Sequence, residues 1–241
     1  MVAAISQRIT WEKLPDDYPL PDDPVDNINQ PILAAALTES LQQAGKLSDQ
    51  NLTPSNYGIC ATLDGKMVVK APDWAFIPQI TVPRDEVTRS YTPQLQGDIP
   101  LMVLEFLSDT SETEYSSKAT YPPGKWFFYE QILKVPYYGL FEPNEGQLEL
   151  YKLDEAGRYV LVQPNEEGHF AIPEIELSLG TWQGNWSNLA GYWLRWWDAQ
   201  QNLLLWGSEA AELATKKAEL ANDRAERLAA QLRAAGIEPE I

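Results

Sequence analysis

The spacing of apolar residues changes several times along the chain, and each change predicts an element. Residues 12–30 (EKLPDDYPLPDDPVDNINQ) are rich in Asp and Pro. Repeated Pro removes backbone donors and breaks helices, so this stretch reads as an extended arm over the surface. Ile32, Leu33, Ala36, Leu37 and Leu41 recur at spacings of three and four, predicting a helix over 32–44 that Gly45 stops. Two β-prone runs, 57–62 and 66–70, flank Leu63-Asp64-Gly65 and predict a hairpin. A short strand follows Pro72-Asp73 over 74–77, and the Pro-rich, polar stretch 78–100 reads as a loop. The run LMVLEFL at 101–107 is the most apolar strand and is expected at the centre of a sheet.

Beyond it, 108–124 is polar and irregular, 125–133 (KWFFYEQIL) predicts a helix, and 137–141 predicts a strand. The runs 149–153 and 159–163 form a hairpin around the turn at 154–157. Six of the nine Trp lie between Trp182 and Trp206. Such a cluster packs a hairpin or helix against the sheet, or offers stacking faces to bases or sugars. From Ser208, read as an N-cap, alanines and leucines at spacings of three and four run to Ala235, where Gly236 and Pro239 end the pattern. Because most of the stripe is alanine, this is a weakly coiled-coil tail. The expected organisation is an acidic arm (1–29), a mixed α/β or α+β domain with helices on a central sheet (30–206), and a helical tail (207–241).

Charge narrows the function. The 241 residues carry 18 Lys+Arg against 35 Asp+Glu, a net charge of −17. A protein that coats nucleic acid through a broad basic face is excluded, whereas an enzyme that meets phosphates through a bound metal is not. Residues 57–143 hold 7 basic and 11 acidic groups, so their net charge is only −4. One Cys (Cys60) and one His (His169) exclude a disulfide framework, a cysteine zinc site and a multi-histidine metal centre. A cytoplasmic protein is expected, with no signal peptide and no membrane span.

Three residues carry candidate chemistry. Glu105 is an acid inside the central apolar run, where a carboxylate is costly unless it is paired or holds a metal. Asp73 opens a strand, and Lys125 opens a helix, where a cation opposes the helix dipole. Two carboxylates and an ammonium can hold Mg²⁺ and polarise a water, the chemistry of phosphodiester hydrolysis. Against this, Asp73 after Pro also suits a turn or cap, Glu105 also suits an exposed sheet face, and Lys125 also suits solvent. His169 reads as solvated or structural, and Cys60 as a small core residue.

The blocks LMVLEFLS, KWFFYE and VPYYGLFEP, in that order and spacing, resemble the Uma-two family of restriction endonucleases, abundant in cyanobacteria. The resemblance covers roughly residues 30–165 and rests on Pro72-Asp73, Glu105 to Ser108, Lys125 with Tyr129, Val135 to Tyr138, and Glu142-Pro143. It implies a restriction-endonuclease-like PD-(D/E)XK core: a mixed central sheet flanked by helices, with a metal site at the strand ends. It also implies that Asp73 and Glu105 ligate Mg²⁺ (or Mn²⁺), with the Phe106 carbonyl as a third ligand, and, since the superfamily sometimes uses an acid on the first helix, it makes Glu39 a further acid expected near the metal. The superfamily lysine two residues after the acid is replaced here by Leu107, and the resemblance moves its role to Lys125. Glu142 stands where the family carries Asp, and the polar loop at 108–124 is longer.

The function expected is a Mg²⁺-dependent endonuclease acting on DNA, with Arg84, Arg89, Lys118 and Lys125 as a local basic patch or with a partner delivering the substrate. Many enzymes of that superfamily act as dimers, and the tail is the expected dimer element. The alternative is a catalytically silent nuclease-like protein that binds a protein partner through the tail helix. A carbohydrate-active protein using the Trp cluster is a third reading.

Overall fold

The structure is a computed structural model describing residues 7–20, 29–107 and 114–236. Its centre is a five-stranded mixed sheet in the order β4-β5-β6-β7-β8, built from Trp74–Phe76, Met102–Phe106, Tyr137–Glu142, Gln147–Leu153 and Tyr159–Leu161. Neighbours β4 and β5 run antiparallel, β5 and β6 parallel, and β6, β7 and β8 antiparallel. Every residue of β5 is buried, as expected of a strand covered on both faces.

One face of β5 packs Met102, Leu104 and Phe106 against Leu33, Leu37 and Leu41 of α1 (Gln30–Gln43) and against Trp193, Trp196 and Trp206. Pro31 suits the first turn of α1. At its other end the amides of Gly45 and Lys46 bond back to Gln42 and Leu41, with Gly45 at φ +66. On the opposite face, Val103 packs with Phe128, Tyr129 and Ile132 and with Ile59, Ala61 and Val68. The last three belong to a second sheet, β1-β2-β3, formed by Ile9–Thr10, Ile59–Leu63 and Lys66–Lys70. The β2–β3 turn is Asp64-Gly65, both at positive φ, as its sequence predicts.

The Trp-rich stretch resolves into strands. β10 (Leu177–Trp186) and β11 (Leu189–Asp198) form a hairpin turned at Ser187-Asn188, with β9 (Phe170–Ile172) on the other edge of β10. It packs against α1, where the indoles of Trp196 and Trp206 donate to the carbonyls of Leu37 and Ala36. The bulk of these Trp side chains is therefore core.

Several expectations are corrected. The arm over 12–30 is preceded by strand β1, and Arg89 clamps it through the carbonyls of Pro15 and Tyr18. Leu14 within it is buried; residues 21–28 lie outside the described residues. The helix predicted over 125–133 is α-helical only at Lys125–Phe127 and then π-helical at Phe128–Leu133; together these form α2. The tail helix α3 is Gly207–Ala234, starting two residues earlier than an N-cap at Ser208 implies. Its N-cap is Trp206 rather than Ser208, because Glu209 Oε2 accepts the Trp206 amide at 2.8 Å. No helix among the described residues is long and apolar enough to cross a membrane.

Candidate active site

The antiparallel β4–β5 register pairs Trp74 with Leu104. Asp73 directly precedes β4 and Glu105 directly follows Leu104, so both acids lie at one end of the strand pair, with Glu105 on one face of β5. Glu105 shares that face with Val103 and is completely buried, which excludes the exposed-face reading. Asp73 is also buried, and its Oδ2 accepts the Phe106 amide at 2.6 Å, a short charge-assisted bond.

The spacing of Lys125 and Tyr129 places both side chains on the one carboxylate. Lys125 Nζ lies 2.9 Å from Glu105 Oε2, and Tyr129 donates to Oε1 at 3.1 Å. Lys125 also reaches Glu114 Oε1 at 3.4 Å. Two features seat the lysine. A Cβ on Gly124 would come within 2.0 Å of the Ser116 carbonyl oxygen, so only glycine lets the preceding loop approach the start of α2. Trp126 then packs edge-on against Tyr138, Tyr151 and Tyr159, with centroids at 5.6, 4.7 and 5.4 Å. The π-helical turn that follows carries Tyr129; such turns recur at functional sites.

The electrostatics are those of a crowded acidic cluster. Burial pushes the Glu105 carboxyl up to about 8; Lys125 pulls it down, while Asp73 and Glu114 push it higher. Burial alone would lower the Lys125 ammonium, but the Glu105 carboxylate beside it leaves it raised. Burial, then Glu105, holds the Tyr129 hydroxyl far above the ordinary phenol range, so it acts as a donor. Lys70, at the end of β3, is depressed by burial and then by Lys125, with Lys118 also acting on it. Lys70 is therefore a further cation close to the site. Its one sequence cue, a position three residues before Asp73, carries no motif.

Gln30 is a second residue that sequence reasoning missed. From the first turn of α1 its Nε2 donates to the Phe106 carbonyl at 2.8 Å. The expected helix acid, Glu39, is elsewhere: its carboxylate accepts from the Gly207 amide at 3.0 Å and the Trp186 indole at 3.2 Å. Arg84 is likewise occupied, bonding to the Asn51 carbonyl, and Arg89 holds the arm. Of the expected basic patch, Lys125 is at the carboxylates and Lys118 is exposed in the preceding loop. His169 stacks on Trp197 at 3.8 Å and bonds Gln201, and Cys60 is buried in β2.

A family model described as "Uma2: Putative restriction endonuclease" matches residues 27–189. That span is 163 of the 241 residues, about two thirds of the chain. The chain belongs to the Uma2 family. Its mixed sheet flanked by helices is a restriction-endonuclease-like fold, as the sequence blocks implied. No curated protein matches the chain. The Uma2 match contains Asp73, Glu105, Lys125 and Tyr129 and stops at the first residue of β11, so α3 lies outside it.

The oxygen set around Glu105 suits a hard divalent cation. Asp73 and Glu105 supply carboxylates, and the Phe106 carbonyl keeps a second lone pair beside the one Gln30 uses. Glu105, Glu114 and Asp73 all raise the Lys125 ammonium. Among the described residues no group of three or more His, Cys, Asp or Glu is placed to hold a metal.

Proposed function

We propose that this protein is a Mg²⁺-dependent DNA endonuclease, with Mn²⁺ able to substitute. The observation that carries the reading is Lys125 Nζ at 2.9 Å from a fully buried Glu105, next in sequence to the Phe106 amide that bonds Asp73. Asp73, Glu105 and the Phe106 carbonyl would hold the metal. When bound, it supplies a water of lowered pKa and neutralises charge on the scissile phosphate. Lys125 orients the attacking water and adds positive charge where the transition state becomes more negative. Tyr129 fixes the Glu105 carboxylate, and Gln30 fixes the Phe106 carbonyl; both are positioning residues. Lys70 and Lys118 supply local attraction for phosphates on a chain whose overall charge of −17 repels DNA. The cytoplasm is the compartment proposed for this action.

The test is cleavage of single-stranded, duplex and branched DNA by the full chain with Mg²⁺ or Mn²⁺, with calorimetric titration of Mn²⁺ alongside. Saturable Mn²⁺ binding together with cleavage is expected. A protein that neither binds Mn²⁺ nor cuts would instead be a silent nuclease-like scaffold.

The arm, the body over 30–206 and the tail are proposed as separate functional parts, with the tail as a self-association element. No residue of the 28-residue α3 is buried, and Leu213, Leu220, Leu228 and Leu232 are exposed along it. Its root is firmly seated: the buried Arg195 pairs with Glu209 at 2.7 Å and stacks on Trp206. Cutting the chain at residue 207 would strip Arg195 of that partner, so point substitutions are the cleaner probe. Full-length protein is expected to sediment as a dimer, and Leu220→Lys with Leu228→Lys as a monomer. Equal masses would remove α3 as the dimer element.

A further inference from the structure

Strand β3 carries lysines that lead to the carboxylates. Side chains alternate along a strand, so Lys66, Val68 and Lys70 share one face. Val68 is buried on that face with Val103, Phe128 and Tyr129, on the side of β5 that also bears Glu105. Lys70 is half-buried at the end of β3, where Lys125 and Glu105 both act on it, and Lys66 is exposed at the start. The loop before α2 runs beside the same strand. Its Lys118 acts on Lys70, and the Tyr121 hydroxyl donates to the Met67 carbonyl at 3.1 Å. The Lys66 ammonium lies 5.0 Å from the centre of the Tyr121 ring, a contact that holds the side chain in place and leaves its charge intact.

These charges are not spent inside the protein. Lys125 is matched by Glu105 and Glu114. Among the described residues no carboxylate lies within ion-pair distance of Lys66, Lys70 or Lys118. Asp64, the acid nearest to Lys66 in sequence, accepts the Arg8 amide at 2.8 Å. Burial disfavours the Lys70 ammonium most, Lys125 and Lys118 add to that, and Glu105 offsets part of it. Anions placed along the strip would relieve this crowding. On a chain of net charge −17, lysines gathered beside one strand are a local reversal of sign. Lys66 and Lys70 are four residues apart, about 13 Å of strand, which is the axial length of roughly four base steps of DNA. Point cations spread over that length suit a row of phosphates better than a single one.

We propose that Lys70, Lys118 and Lys66 form a phosphate rail that holds the DNA backbone on one side of the cut. The inference rests on the nuclease reading and deepens it, giving the strand a path along β3 and a footprint of about four nucleotides on that side. Phosphate contacts carry no sequence information, so the rail fixes the position of the strand without selecting its bases.

The test needs no turnover. Binding of a fluorescein-labelled single strand to the full chain carrying Asp73→Asn is followed by anisotropy over a range of KCl concentrations. Lys66→Gln, Lys70→Gln and Lys118→Gln, each added singly, should weaken binding and lower the slope of log K against log salt by about 0.7, the value of one phosphate contact on a single strand. Lys70→Arg keeps the cation and should keep the slope. Lys46→Gln makes the same change in net charge past the end of α1 remote from Gln30, and it should leave the slope as it was. A second arm measures cleavage by the wild-type chain of strands shortened on one side of the cut or on the other: a several-fold loss of kcat/KM is expected for one side only. No binding, slopes unchanged in all three variants, or a slope lowered equally by Lys46→Gln would overturn the rail. Equal losses on shortening either side would also overturn it. If cleavage still depends on Asp73, the nuclease reading survives those results. Cleavage that survives Asp73→Asn would overturn the catalytic site, while slopes lowered at Lys66, Lys70 and Lys118 but not at Lys46 would still support the rail.

Discussion

Asp73→Asn is expected to lower cleavage by on the order of 10³-fold or more and to abolish calorimetric Mn²⁺ binding, while the protein stays folded. The carboxamide keeps an oxygen where Asp73 Oδ2 accepts the Phe106 amide, so the backbone bond at 2.6 Å survives. What disappears is one of two carboxylates, and with it the charge that attracts a divalent ion. Metal-assisted hydrolysis draws several kcal/mol of transition-state stabilisation from that ion, and each ~1.4 kcal/mol is tenfold in rate. Loss of Asp73 also removes a negative charge that raises the Glu105 carboxyl. The variant should therefore be no less stable than wild type without metal, which separates a catalytic role from a structural one. A Tm that falls by many degrees together with activity would show Asp73 to be chiefly a strand-start bond.

Much of this site is legible from residue order because its geometry is local and periodic. Lys125 and Tyr129 are four apart, and a helical turn alone brings them to one face. Glu105 is conspicuous because an acid in LMVLEFL must either be paired or break the strand. The hairpin at Asp64-Gly65 is equally local, since both residues must take positive φ. The failures are tertiary. Gln30 reaches Phe106 across 76 residues, and a glutamine at a helix start carries no signal of its own. Glu39, the acid on that helix, bonds instead the Gly207 amide at the root of α3 and the Trp186 indole. The change from α to π geometry after Phe127, where Phe128 and Tyr129 enter the core, is not resolved by periodicity over nine residues. Strands β10 and β11 were hidden by their own composition. With Trp and Leu on both sides, their alternation is blurred.

The two lysines that follow Glu105 differ in how firmly they are held, and that difference predicts the last result. Lys118 is exposed in a polar loop, whereas Lys125 is more than three-quarters shielded, its side chain 23% accessible. Catalysis needs a group fixed to fractions of an ångström, and only Lys125 has that support, from Glu105, Gly124 and the Trp126 ring contacts. Lys125→Ala is therefore expected to lower the cleavage rate at saturating substrate by on the order of 10²-fold or more, with little change in KM. Lys118→Ala should weaken substrate binding mildly, and that effect should shrink as salt is raised. The Lys125 variant also leaves a fully buried Glu105 without its 2.9 Å ammonium. Removing one partner of such a pair costs about 3–5 kcal/mol when both are sealed from water, and less here because Lys125 is partly open. Thermal unfolding should accordingly show a lower Tm for Lys125→Ala than for Lys118→Ala. Lys125→Arg keeps a cation beside Glu105, so it should recover most of the Tm. It should recover little of the rate, because a planar guanidinium cannot reproduce a point ammonium at that position. If arginine restores cleavage to within a few-fold of wild type, Lys125 serves only to neutralise Glu105, and the water-orienting role falls.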